Sequence, residues 1–251
     1  MHRGTVLLLV LSLAGCAGST GQVPDAPSPR SLPTSVVNGG VCERTLFPGL
    51  PPDSGCLTGV DGDADGDGSP DTFIVFAALD ADDRPTRWFA GLQTLATLLT
   101  TRLPAGNDFT YPRVVGVADV DGDGRDELFV KAFDLAGHGT NWQSLVLLVE
   151  RDGRLRPVTY EGQPLPLRVG GPSRTGEGVE CSGGRVGLLR ASAQSRDNTQ
   201  WDFSVRLFEI DGTQARFIKR TAGRLSIEDY NDPALDPFYR LDCGGLRYPD
   251  V

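Results

Sequence analysis

The chain has 251 residues, 39% of them hydrophobic and 23% charged, enough apolar material for one large or two small folded domains. Its formal net charge is −9, which argues against nucleic acid as a partner, because binding phosphates needs a basic patch.

The N-terminus reads as a targeting segment. Arg3 supplies a positive charge, and TVLLLVLSL (Thr5 to Leu13) is an apolar run too short to span a bilayer. The run ends in LAGC, Leu13 to Cys16, which resembles the lipobox of bacterial lipoproteins. The resemblance implies that residues 1–15 are a signal peptide removed on export. It also implies that Cys16 carries a diacylglycerol and an acylated amine, and that the protein is anchored to the cell membrane or envelope on its extracytoplasmic side. Two or more acyl chains make a stable anchor where one is marginal. Residues 16–40 are rich in Pro, Ser and Gly, cannot bury enough apolar area to offset their ordering entropy, and read as the lipidated Cys followed by a tether.

The body is expected over residues 41–251. It holds Cys42, Cys56, Cys181 and Cys243, an even set that in an exported protein favours two disulfides. Three pairings are open; proximity in sequence favours Cys42 with Cys56 and Cys181 with Cys243. No C-x-x-C pair is present to suggest zinc or a thioredoxin-like site.

Two acidic stretches organise this body, DADGDGSPD from Asp63 and DVDGDGRDE from Asp119. Each runs directly into a short apolar segment rich in β-branched and aromatic residues, TFIVFAAL and LFVKAF, which predicts a strand. A polar loop and a tryptophan follow, Trp88 and Trp142; a third unit, RVGLLRA and then Trp201, has the same layout. Asp152-Gly153 and Asp211-Gly212 mark hairpin turns after the second and third tryptophans. The first unit lacks that turn. GLQTLATLLTTRL (Gly91 to Leu103) has helical leucine spacing, but its threonines and its place in the repeat favour strand. The tryptophans are expected to anchor packing between sheets. A period of about 55–60 residues with three or four strands per unit points to an array or propeller.

Both acidic stretches follow D-x-D-x-D-G-x-x-[DE] before a strand, and this resembles the calcium loop of FG-GAP and VCBS repeats (the integrin α-subunit propeller type). The resemblance implies two Ca²⁺ sites. One would be held by Asp63, Asp65, Asp67, Asp71 and the Ser69 carbonyl, the other by Asp119, Asp121, Asp123, Glu127 and the Arg125 carbonyl. Ca²⁺ takes 6–8 hard oxygen ligands, and alternate residues of a tight loop converge on one point. An EF-hand is excluded, since its closing Glu is replaced by Ile74 and Val130 and strands follow in place of a helix. Asp126 stands beside Glu127 as a competing acid, and Asp61 allows a register shifted by two. The third unit, EGVECSGGR, has lost the motif. The implied fold is all-β, a small propeller-like array of about three to four antiparallel sheets, the last shared by the two chain ends.

His138, in AGHGTNW, is the only histidine besides His2, which leaves no His-rich catalytic metal centre. No nucleophile elbow, P-loop or dinucleotide fingerprint occurs. The expected function is a calcium-stabilised, membrane-anchored, non-catalytic binding or adhesion module with a protein or glycan ligand at the cell surface. A structural envelope lipoprotein and a glycan-acting hydrolase or lyase are the alternatives.

Overall fold

The computed structural model describes residues 49–94, 97–104, 111–137, 140–229 and 231–249. The signal segment, Cys16, the tether, Cys42, His138 and the side chain of Cys56 lie outside the described residues.

The body is all-β. The first sheet is the meander β1 (Ser54–Gly62), β2 (Asp71–Leu79), β3 (Pro85–Gln93) and β4 (Leu98–Arg102). The second is built on β5 (Arg113–Ala118), β6 (Glu127–Gly137) and β7 (Thr140–Arg151). The far half of β7 pairs with β8 (Arg154–Pro157), and its near half takes β11 (Leu167–Val169). Between these two lie β9 (Thr159–Tyr160) and β10 (Gln163–Pro164), which cross to the third sheet. That sheet is centred on the antiparallel run β12 (Thr175–Cys181), β13 (Arg185–Ala193), β14 (Gln200–Asp211) and β15 (Gln214–Ser226).

Three antiparallel runs, β1 to β4, β5 to β8 and β12 to β15, follow one another along the chain. Each apolar run forms a strand, each tryptophan sits in the next, and both Asp-Gly pairs turn the hairpins that follow. Gly91 to Leu103 supplies strands, not a helix: its two ends pair with each other, Leu92 opposite Leu99 and Gly91 opposite Thr100, in the β3–β4 hairpin.

The expectation of one sheet shared by both chain ends is not met among the described residues. β1 opens the first sheet, while β16 (Leu241–Cys243) and β17 (Leu246–Tyr248) extend the third, β16 running parallel to β12. A 3₁₀ turn, Pro233–Phe238, brings the chain back to that edge. Gly176 and Gly178 allow the return, since a Cβ on Gly178 would stand 1.9 Å from the Pro237 carbonyl oxygen. The expected Cys181–Cys243 disulfide is present and locks β16 to β12.

Packing follows from alternation along the strands. On the middle sheet, Leu128, Val130, Val146 and Leu148 face the first sheet and meet Phe73, Val75, Ala90 and Leu92. Their neighbours Phe129, Leu145, Leu147 and Val149 face the third sheet and meet Val179, Val186, Phe208 and Leu241. The middle sheet is therefore buried on both faces. Trp201 is fully buried under the 3₁₀ turn, with its indole N–H donating to the Asn198 carbonyl at 2.7 Å. Trp88 packs at the edge of the first core and meets Tyr111 edge-on. Both serve as packing anchors.

Candidate metal sites

The acidic stretches form the β1–β2 and β5–β6 connections, and their backbones are superimposable in hydrogen-bond pattern. Asp63 accepts from the Gly66 and Gly68 amides at 2.9 and 3.0 Å; Asp119 accepts from those of Gly122 and Gly124 at 2.7 and 3.1 Å. Asp65 and Asp121 each accept from the amide two residues on, at 3.0 and 3.2 Å. Asp67 accepts from Ser69 at 2.7 Å and Asp123 from Arg125 at 3.0 Å. Gly66, Gly68, Gly122 and Gly124 all take positive φ, which lets so tight a loop turn its carboxylates inward.

The second position of each loop, Ala64 and Val120, is buried in the core. Their amides turn back to the last acid of the motif: Ala64 to Asp71, and Val120 to Glu127 at 2.7 Å. Those acids are the first residues of β2 and β6, which explains why they are buried, Asp71 at 8% and Glu127 at 1% exposure.

Two groups of donors converge. Carboxylate oxygens of Asp63, Asp65 and Asp67 lie within 4.8 Å of one another, as do those of Asp119, Asp121 and Glu127, and either group can hold a metal ion. Asp71 stands beside the first group, with one carboxylate oxygen buried and without a hydrogen-bond partner. Leaving such an oxygen unsatisfied costs about 1–3 kcal/mol, more if it is charged, so it is well suited as a cation ligand. Asp123 is drawn away from the second group by Arg151, whose Nη2 lies 2.7 Å from Asp123 and 3.0 Å from Asp121. Ser69 and Arg125 occupy the seventh position of their loops; the Arg125 side chain leaves the loop for Glu150 at 3.5 Å.

Asp126 is turned toward the other loop. Its carboxylate accepts from the Asp63 amide at 2.8 Å while its own amide donates to the Asp63 carbonyl at 2.7 Å, a reciprocal clamp that joins the two loops. Asp61 is likewise spoken for, accepting from the Thr72 hydroxyl at 2.8 Å within the β1–β2 ladder. The third unit replaces the loop by a two-residue hairpin. Ser182 and Arg185 exchange backbone hydrogen bonds around Gly183-Gly184, both at positive φ, and no acid converges there. Arg151 and the Asp63–Asp126 clamp were not legible in the sequence, since both join residues far apart in the chain.

The Glu127 carboxyl is raised to about 8 and the Asp71 carboxyl to about 6, chiefly by burial, with the other acids of each loop pushing the same way. Asp121 is raised too, by burial and then by Asp123. The folded form, when no metal is supplied, binds these protons more tightly than the unfolded chain does. Its stability is then full below the ordinary carboxylate range and is lost as pH rises through about 6 to 8. Calorimetric scans in metal-depleted buffer should give a higher melting temperature at pH 5 than at pH 8.5; a flat or inverted profile would show that the buried acids do not govern it.

No protein-family model, curated protein or solved structure matches this chain.

Proposed function

We propose that the chain is a calcium-stabilised, lipid-anchored binding module of the bacterial envelope, extracytoplasmic and non-catalytic. The observation that carries the metal reading is the recurrence of one arrangement in two loops. In each, three carboxylates converge, and the amide after the first acid donates to a buried acid that opens the next strand: Asp71 beside the first group, and Glu127 as a member of the second. The donors are all hard oxygens, which suits Ca²⁺ better than a soft or borderline metal. Asp63, Asp65, Asp67 and Asp71 would hold one ion, and Asp119, Asp121 and Glu127 the other, with Asp123 joining if Arg151 releases it. The bound ions would neutralise the crowded acids and fix the turns that lead into β2 and β6. Three meanders stacked through shared cores support a propeller-like array as the framework.

Calcium titration by calorimetry tests this. The chain should bind two ions; Asp67→Asn and Asp121→Asn should each remove one, since both keep the side chain's volume and lose its charge. A titration with no heat and no bound calcium would sink the reading.

The anchor is tested separately. Native protein should partition into detergent, and Cys16→Ser should block processing or release the chain from the membrane. A mature terminus found by mass spectrometry anywhere other than Cys16 would overturn it.

A further inference from the structure

In an acidic chain, one face of the third sheet is basic. Beyond the part covered by the middle sheet lies a groove of about 400 Å³ lined by Arg168 of β11, Arg190 of β13, Arg206 of β14 and Arg220 of β15, together with Glu177 and Ser204. A second concavity of about 500 Å³ shares Arg190, Ser204 and Arg220 and runs on along β14 and β15 to Arg224. The two form one elongated trough across the adjacent strands β12 to β15, with β11 at one end.

Its charges are poorly answered from within. Arg206 and Arg220 stand directly opposite each other across the β14–β15 ladder, a like-charge pairing that weakens a sheet. The side chains of Arg190 and Arg220 are exposed and form no ion pair among the described residues, although Arg190 stands opposite Glu177 in the β12–β13 ladder. Against these arginines the trough sets two carboxylates, Asp202 and Glu177; Glu177 lies 3.8 Å from Arg168, and its buried oxygen has no hydrogen-bond partner. Arg224 is paired, with Asp202 at 3.2 Å. Arg206 is held in place by stacking, its guanidinium 5.1 Å from the Phe208 ring centre and 5.8 Å from that of Tyr160. A fixed guanidinium with two unpaired ones beside it is a receptor for oxoanions, which it grips through paired, charge-assisted hydrogen bonds.

We propose that this trough binds an acidic polysaccharide, a chain that carries carboxylate groups on its sugars. The trough is elongated, so it suits a chain better than a single small anion. Nucleic acid bears a charge on every phosphate, and its length beyond the trough would meet a body whose net charge is −9. A polysaccharide spaces its carboxylates more widely, and its hydroxyls match Ser204 and Glu177. The trough shares no residue with the acidic loops. The inference gives the binding-module reading a ligand class but does not depend on calcium.

The test is a titration of the full chain with a uronic-acid hexasaccharide, its carboxyl-reduced neutral counterpart, a thymidine oligonucleotide and vesicles containing phosphatidylglycerol, each with and without EDTA. The hexasaccharide should bind saturably, and the neutral sugar should not. Arg190→Ser combined with Arg220→Ser should weaken binding at least about tenfold, the loss expected of charge-assisted hydrogen bonds. The same double variant should melt no lower than the parent, because it relieves a like-charge pairing; a purely structural role would lower the melt. Unchanged affinity in the double variant, equal binding of the neutral sugar, or tighter binding of the oligonucleotide or vesicles would overturn the proposal. Binding lost only in EDTA would also overturn it, since the trough would then be a consequence of the metal sites.

Discussion

Chelation of divalent metal is expected to lower the melting temperature by roughly 6–12 °C. Extracellular calcium modules commonly bind with Kd near 10⁻⁴ M, so about 1 mM free Ca²⁺ stabilises a folded site by about 1.4 kcal/mol, or about 3 kcal/mol for two. A domain of this size shifts by about 2–4 °C per kcal/mol. The cause is local: without a cation, the carboxylates of Asp63, Asp65 and Asp67 face one another, and Asp71 keeps a buried oxygen with no partner. The same holds for Asp119, Asp121 and Glu127, where Arg151 offers only partial neutralisation. Added Ca²⁺ should restore the melt better than Mg²⁺, which dehydrates reluctantly and needs a smaller octahedral shell. A melt indifferent to EDTA, in a protein that carries no calcium by elemental analysis, would return both loops to the status of solvated acidic turns.

Removing the Cys181–Cys243 disulfide should cost about as much or more. The bridge closes a sequence separation of 62 residues, for which chain entropy predicts about 4 kcal/mol of stabilisation. That corresponds to a fall of roughly 8–16 °C in the melting temperature. Cys243 is fully buried in the core between the middle and third sheets, and β16 reaches β12 through only three paired residues. Cys181→Ala with Cys243→Ala should therefore also loosen the C-terminal hairpin. Limited proteolysis would detect this as early cleavage between the 3₁₀ turn and β17. Coincident melts of the parent and the double variant would show that the packing of Leu241 and its neighbours suffices without the bridge.

What could be read from the chain alone was whatever repeats over short distances. The strands β2, β6 and β13 announce themselves as apolar runs, and the carboxylates of each loop sit within nine residues with glycine where the backbone must turn. The loss of the third loop was visible too, because CSGGR keeps glycines and drops acids. Strands of two or three residues, such as β9, β10 and β16, have no period to read; their neighbours create them. Arg151 gives no local sign that it will reach Asp121 and Asp123, nor Asp126 that it will clamp Asp63. Both depend on how two meanders dock. The arginines of the trough are scattered from Arg168 to Arg224 and gather only because β13, β14 and β15 present theirs on one face and β11 of the middle sheet brings Arg168 beside them.

The middle sheet also says where this protein has room to change. Most of the core residues of β6 and β7 must fit a neighbour in front or behind. A substitution there that adds volume presses on the first core or the second, and one that removes volume opens a hole in it. Each outer sheet turns one face to this layer, and its other face holds only a smaller buried cluster, Ile74 and Phe76 on the first sheet and Trp201, Ile227, Leu235 and Phe238 on the third, beside positions that meet solvent. Variation in a lineage of such chains should therefore accumulate on the first and third layers, where new specificities can arise, while the layer between them stays nearly fixed.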